Sequence, residues 1–180
     1  MFFPDLTTDR LLLRGVRESD STFLFRHLSD VDVCRYLYDA EPYTTIDEAE
    51  ELVRLFIDPE GRTLNRWIIV EKASGEPIGT CGFSLWDREN NRAEIGYDLG
   101  SAHWGRGYMT EALTAALASG FDNMSLNRVE AIIALENVAS FRLVEKLGFQ
   151  REAVLRDRHL LRGRYYDHYL YSLLARDRNR

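Results

Sequence analysis

The chain changes hydrophobic rhythm several times, and each change marks an element. Arg10 to Val16 is short and leucine-rich, which predicts a first strand. Glu18-Ser19-Asp20 supplies helix-start chemistry, and Phe23, Leu24, His27 and Leu28 follow at helical spacing. Thr44-Thr45 opens a second helix, with Ile46, Ala49, Leu52, Val53 and Phe56 as its apolar stripe. Thr45 and Glu48 fit a capping box, each side chain satisfying a free backbone N–H of the first turn. Asp58-Pro59-Glu60-Gly61 stops that helix. Three strand patterns follow, Arg66 to Lys72, Ile78 to Trp86 and Arg92 to Leu99, separated by polar turns. Gly79 and Gly82 inside the second of them predict a close approach of another backbone. From Gly107 the period becomes helical again, with Met109, Ala112, Leu113, Ala116, Leu117 and Gly120 on one face. Arg128 to Leu135 reads as a buried strand. Asn137 caps a short helix that Gly148 stops after Leu147. Phe149 to Leu160 and Tyr165 to Leu174 form a closing pair, turned at Arg162-Gly163-Arg164.

The order is strand, two helices, three strands, helix, strand, helix, two strands. It predicts a single α+β domain over 1–180, a mixed and mostly antiparallel sheet with helices on both faces. Strands joined by short polar turns pair antiparallel, whereas the strand-helix-strand unit from Arg92 to Leu135 is a right-handed parallel crossover. The polar tail from Arg176 to Arg180 is expected to fray.

Composition narrows the function classes. An apolar fraction of 45% in 180 residues supports a packed core and excludes disorder. A net charge of -6 argues against nucleic acid and anionic membranes as partners, and is compatible with a cationic substrate or with simple solubility. Cys34 and Cys81 lack zinc spacing and are too few for a disulfide framework, so they read as reduced, buried thiols. His27, His103, His159 and His168 show no metal spacing either. His27 reads as a core-edge residue and His103 as a surface one. Without a signal sequence or a long apolar run, the protein is expected in the cytoplasm.

The richest chemistry lies at Trp104-Gly105-Arg106-Gly107-Tyr108-Met109-Thr110. A strand ends, a glycine-bearing loop follows and a helix begins. Free N–H groups of a first helical turn and the helix dipole favour an anion there, and glycine lets backbone approach phosphate oxygens. A bare G-x-G before a helix is also a common plain loop.

The setting of that loop resembles the GNAT N-acetyltransferases, and within them the RimJ/RimL-like ribosomal-protein N-terminal acetyltransferases. Leu6-Thr7-Thr8-Asp9-Arg10-Leu11-Leu12-Leu13-Arg14 resembles that branch's opening strand. Ile78-Gly79 with Gly82, Ala93-Glu94-Ile95-Gly96-Tyr97, Asn137-Val138-Ala139-Ser140 through Lys146-Leu147-Gly148-Phe149, and Asp167-His168 with Tyr171-Ser172-Leu173-Leu174 match in the right order. The resemblance covers nearly the whole chain and implies an acetyl-CoA-binding core at about residues 78–150.

It implies a direct mechanism, in which acetyl-CoA and an amine bind together and the neutral amine attacks the thioester without a covalent enzyme intermediate. The strand at Glu94–Leu99 would splay from its parallel neighbour, the pantetheine arm would lie in the gap, and an N–H near Tyr97, Asp98 or Leu99 would polarise the thioester. Trp104, Gly105, Arg106, Gly107, Tyr108, Met109 and Thr110 would hold the phosphates, with Lys146 as a further cation. The family's usual Gln or Arg ahead of the loop is replaced by Ala102. Asn137 would contact the pantetheine arm as well as cap its helix. Glu94 matches a general base; the alternative is a structural carboxylate paired with Arg92. The family's tyrosine acid is replaced by Val144. Ser140 matches a serine assigned to the leaving thiolate, and first-turn helix chemistry accounts for it equally. No metal is implied.

The acceptor is a protein N-terminal amine or a small amine such as an antibiotic or polyamine. Tyr36, Tyr38, Tyr43, Trp86, Tyr165 and Tyr166 are candidates to line its cleft, or simply pack. A non-catalytic acyl-CoA-binding module is the alternative from another class. Assembly is left open between monomer and homodimer.

Overall fold

The computed structural model describes residues 3–37, 41–57 and 64–178. Tyr38, the helix stop at Asp58–Gly61 and the last two residues of the tail lie outside them. Among the described residues eight strands form one sheet: β1 (Leu6–Thr7), β2 (Leu11–Gly15), β3 (Trp67–Glu71), β4 (Pro77–Asp87), β5 (Arg92–Leu99), β6 (Arg128–Ala134), β7 (Gln150–Leu161) and β8 (Arg164–Leu174). Their spatial order is β1-β2-β3-β4-β5-β6-β8-β7. Every neighbouring pair is antiparallel except β5 and β6, the crossover that the sequence predicts.

Four α-helices cover the described sheet: α1 (Ser21–Leu28), α2 (Ile46–Ile57), α3 (Tyr108–Asn123) and α4 (Val138–Lys146). Side chains alternate across a strand, so each strand feeds two cores. Leu11, Leu13, Trp67, Ile69, Ile95 and Val129 pack with Leu113 and Val144 from α3 and α4. Ile68 and Val70 pack with Leu24, Ala49 and Val53 from α1 and α2. Helices therefore lie on both faces, as their stripes require.

Local signals hold with small changes. Glu48 accepts the backbone N–H groups of Thr44 and Thr45, both at 2.8 Å, so the carboxylate caps two donors ahead of α2. A Cβ on Gly79 would stand 2.4 Å from the Asp98 carbonyl and one on Gly82 2.1 Å from the Asn65 carbonyl, the close approaches these glycines predict. Glu18–Asp20 forms a short 3-10 turn ahead of α1. The tail is pinned as far as Arg178, which pairs with Asp122 at 2.7 Å, where fraying was expected.

Candidate active site

The parallel pairing of β5 with β6 runs from Arg92↔Arg128 to Glu94↔Glu130 and stops there. Both strands continue, to Leu99 and Ala134, but apart. A cavity of about 290 Å³ occupies the gap, lined by Glu94 to Asp98 on one side and Ala131 to Ala134 on the other. The direction of the free backbone groups follows from the ladder. The Gly100 N–H donates to the Ile78 carbonyl at 2.9 Å, and β5 pairs with β4 in continuous register beside it, from Leu99↔Gly79 to Glu94↔Ser84. Alternate residues turn opposite ways, so Gly96 and Asp98 bond towards β4 while Tyr97 and Leu99 point their N–H groups into the gap.

Side-chain alternation divides the site by chemistry. Glu94, Gly96 and Asp98 face α1 and α2, whereas Ile95, Tyr97 and Leu99 face α3 and α4. On the first face Asp98 is fully engaged. His27 Nε2 lies 2.6 Å from its Oδ1, the Thr80 N–H donates to the same oxygen at 3.1 Å, and the Thr80 hydroxyl donates to Oδ2 at 2.6 Å. Burial alone would raise the Asp98 carboxyl, but the bonds and charge of His27, the charge of Arg66 and the Thr80 hydroxyl hold it below the ordinary range. His27 is therefore a buried partner of this carboxylate and not a core-edge residue. Arg92 pairs with Asp87 at 3.2 Å and reaches Glu130 at 3.9 Å, so its ion pairs lie elsewhere than on Glu94.

The far wall of this face carries His159 and His168. His168 Nδ1 lies 3.2 Å from the Tyr166 carbonyl, which only accepts, so Nδ1 carries the proton. Its Nε2 then accepts from His159 Nδ1 at 3.3 Å. Burial lowers the pKa of His168 and favours the neutral ring.

On the opposite face Tyr97 and Ser140 meet, their hydroxyl oxygens 2.6 Å apart. Burial pushes the Tyr97 phenol up to about 12, against the pull of the Ser140 bond, so it stays a proton donor. Asn137 Oδ1 accepts the Ser140 N–H at 3.1 Å and caps α4 as expected. Val144 is fully buried in the core, so no polar group stands there in place of the family's tyrosine.

The glycine loop follows the end of β5. The Trp104 indole donates to the Leu99 carbonyl at 2.7 Å, tying the loop to the end of β5. Gly105 and Gly107 take φ of +72° and +78°, which disfavour any side chain. The first intrahelical bond of α3 runs from the Glu111 N–H to the Gly107 carbonyl, leaving Tyr108, Met109 and Thr110 as the free donors of its first turn. Gly107, the N-cap, supplies no side chain to cover them. Tyr108 and Met109 bury their side chains, so only backbone can serve a ligand at these positions. The loop is braced from β2: Arg10 donates to the Arg106 carbonyl at 3.0 Å and pairs with Glu111 at 2.7 Å. Strand gap, bare donors and a side-chain-free approach at Gly105 together fit the extended arm and phosphates of acetyl-CoA.

The structure thus gathers Glu94, Tyr97, Asp98, Asn137 and Ser140 around one cavity, while Leu99, Trp104, Gly105, Arg106, Gly107 and Thr110 lie along the turn from β5 into α3. Lys146 is exposed on the last turn of α4, about 13 Å along the axis from Asn137 at 1.5 Å per residue. Sequence reasoning missed Arg66, Thr80 and the histidine pair as cavity residues. Among the described residues no three His, Cys, Asp or Glu side chains converge as metal ligands. No described helix is long and apolar enough to cross a membrane.

The acetyltransferase (GNAT) domain profile matches residues 10–150. The chain belongs to the GNAT acetyltransferase family. This GNAT enzyme is 42% identical over 174 residues to the uncharacterized N-acetyltransferase p20 of Bacillus licheniformis, covering 96% of this chain and 97% of that one. It is 35% identical over 103 residues to the ribosomal protein uS5-alanine N-acetyltransferase of Escherichia coli, covering 57% of this chain and 53% of the other. Its fold matches the crystal structure of spermidine N-acetyltransferase from Vibrio cholerae in complex with CoA and spermine. The TM-score is 0.85 at 24% identity, over 96% of this chain and 100% of that one. The GNAT fold uses acetyl-CoA as co-substrate, and the chain is an acetyl-CoA-dependent N-acetyltransferase.

Proposed function

We propose that this enzyme acetylates a protein N-terminal amine in the cytoplasm by direct attack in a ternary complex, with Glu94 as general base. The carrying observation is that one cavity between β5 and β6 is lined by Glu94 on its α1–α2 face and by Tyr97, Asn137 and Ser140 on the other. Acceptor and co-substrate can therefore enter from opposite faces of the sheet and meet in the gap. When bound, acetyl-CoA supplies the thioester carbonyl that the amine attacks. Glu94 takes the ammonium proton, because only the neutral amine carries a lone pair. The N–H groups of Tyr97 and Leu99, already turned into the gap, are the fixed donors for developing negative charge. The Tyr97–Ser140 hydroxyl pair holds a donor at the side where the thiolate departs. Loop backbone from Gly105 to Thr110, with Arg106, holds the phosphates, and Asn137 fixes the start of α4 beside the pantetheine path.

The choice of acceptor rests on charge. Among the described residues two carboxylates, Glu94 and Asp98, line the cavity, and Asp98 already accepts three hydrogen bonds. The remaining lining is rich in Leu24, Leu28, Tyr36, Tyr43 and Phe56, and includes the Arg66 guanidinium. That chemistry suits one amine beside apolar groups and opposes a polycation. The E. coli relative named for acetylating an alanine of ribosomal protein uS5 supports a protein acceptor.

An acceptor panel tests it: peptides with free and blocked N-termini, simple monoamines, and spermidine, following thiol release from acetyl-CoA. Peptides with free N-termini are expected to turn over fastest. Turnover of spermidine alone would sink the N-terminal reading. Acetyl-CoA binding without turnover of any amine would make the protein an acyl-CoA-binding module.

A further inference from the structure

We infer that Arg66 anchors the oxygen next to the acceptor amine, so that the substrate class is an α-amino carbonyl compound with its amine towards Glu94 and its carbonyl or carboxylate towards the guanidinium. The inference rests on the acceptor role proposed for the cavity.

Arg66 sits one residue ahead of β3 and its side chain crosses to β5. A Cβ on Gly96 would stand 3.1 Å from its Nη1 and 3.8 Å from its Nη2. Gly96 thus makes room for the guanidinium, and a methyl group there would displace it. Gly96 lies between Glu94 and Asp98 on the same strand face, so the guanidinium lies between the base and the His27–Asp98 pair. The Phe56 ring centroid is 5.7 Å from its Cζ. Among the described residues nothing hydrogen-bonds or ion-pairs with it. Asp98 acts on it only through charge, since both Asp98 oxygens are occupied by His27 and Thr80.

A guanidinium offers five N–H donors in a planar fork, and an oxygen acceptor suits them best. Inside an acceptor cavity, that acceptor is substrate. Glu94 and Gly96 are two residues apart on one strand, about 6.5–7 Å. An amine nitrogen and the oxygen of the adjacent carbonyl are three bonds apart, so one head group can bridge a base at Glu94 and a donor above Gly96. A peptide N-terminus supplies this group as its first carbonyl. A free amino acid supplies it as carboxylate.

The test is calorimetric titration of the CoA-bound protein with L-leucine, the peptide amide Leu-Ala-Ala-NH2, and 4-methylpentan-2-amine, which replaces the leucine carboxyl by methyl. Wild type, Arg66→Met and Arg66→Lys are compared. A bond from a charged donor predicts that wild type binds at least one oxygen-bearing ligand on the order of ten- to a hundredfold tighter than the plain amine. Arg66→Met should abolish that preference while leaving the plain amine's affinity in place, and Arg66→Lys should keep part of it. Preference for leucine assigns a free carboxylate, and preference for the peptide amide assigns a peptide carbonyl. Equal binding of all three ligands by wild type overturns the inference, as does an equal loss for all three in Arg66→Met. A CoA-induced rise in melting temperature checks that each variant folds, and the wild-type comparison stands even if Arg66→Met does not. Amines that bind without oxygen preference sink the inference alone; failure of every amine to bind sinks the acceptor reading with it.

Discussion

Asp98→Asn is the substitution whose consequence the geometry specifies most fully. Asp98 is 9% exposed and receives three hydrogen bonds on its two oxygens, from His27 at 2.6 Å and from the Thr80 N–H and hydroxyl at 3.1 and 2.6 Å. An asparagine keeps one accepting oxygen and turns an NH2 group towards a donor. A hydrogen bond to a charged acceptor contributes about 1.5–3 kcal/mol, and the turned NH2 leaves one such donor without its acceptor. At about 2–4 °C per kcal/mol for a chain of this size, the melting temperature should fall by roughly 3–12 °C. The pH dependence has a fixed sign. The folded carboxyl is held below its ordinary value, so its contribution is fully present above the unfolded pKa of about 3.9 and is lost as pH falls towards the folded one. Thermal unfolding of wild type and Asp98→Asn from neutral to acid pH measures both effects. The gap between them should be widest near neutrality and close below about pH 4. A gap within about 2 °C near neutrality, or one that persists unchanged into acid, would refute the reasoning.

Two further substitutions separate holding from chemistry. Asn137→Ala removes the side-chain cap on α4 and should cost about 1 kcal/mol, read as a fall of roughly 2–4 °C in melting temperature, together with weaker acetyl-CoA binding by calorimetry. Tyr97→Phe and Ser140→Ala each break the same 2.6 Å hydroxyl contact, so the double variant should lose little more rate than the worse single one. Additive losses, measured by single-turnover thiol release, would show that the two hydroxyls act independently.

Much of the frame was legible because it is written locally. The period switch at Gly107, the cap at Asn137 and the turns between β3, β4 and β5 depend on near neighbours, and all three are where the pattern puts them. The turn from β5 through the glycine loop into α3 was legible for the same reason, since strand, loop and helix are consecutive. What escaped is built from distant partners. His27 reaches Asp98 across 71 residues, and neither position stands out locally from a core histidine or a strand carboxylate. Strand alternation did hold part of the answer: Glu94, Gly96 and Asp98 share one face, and Tyr97 must lie on the other. Arg66 left a fainter trace in Gly96, a glycine inside a strand where another group approaches. Lys146 lies exposed at the end of α4, and its place in the motif says nothing of which end of that helix faces the cavity.

The central claim is that an amine gives its proton to Glu94 in the gap between β5 and β6. Single-turnover transfer to a peptide with a free N-terminus, followed against pH in wild type and Glu94→Gln, tests it most directly. Glu94→Gln should be slower by a factor on the order of 10² or more near neutral pH. The deficit should shrink above about pH 8, where α-amino groups lose their protons unaided. A rate ratio that stays constant across that range, or no deficit at neutrality, would contradict the account.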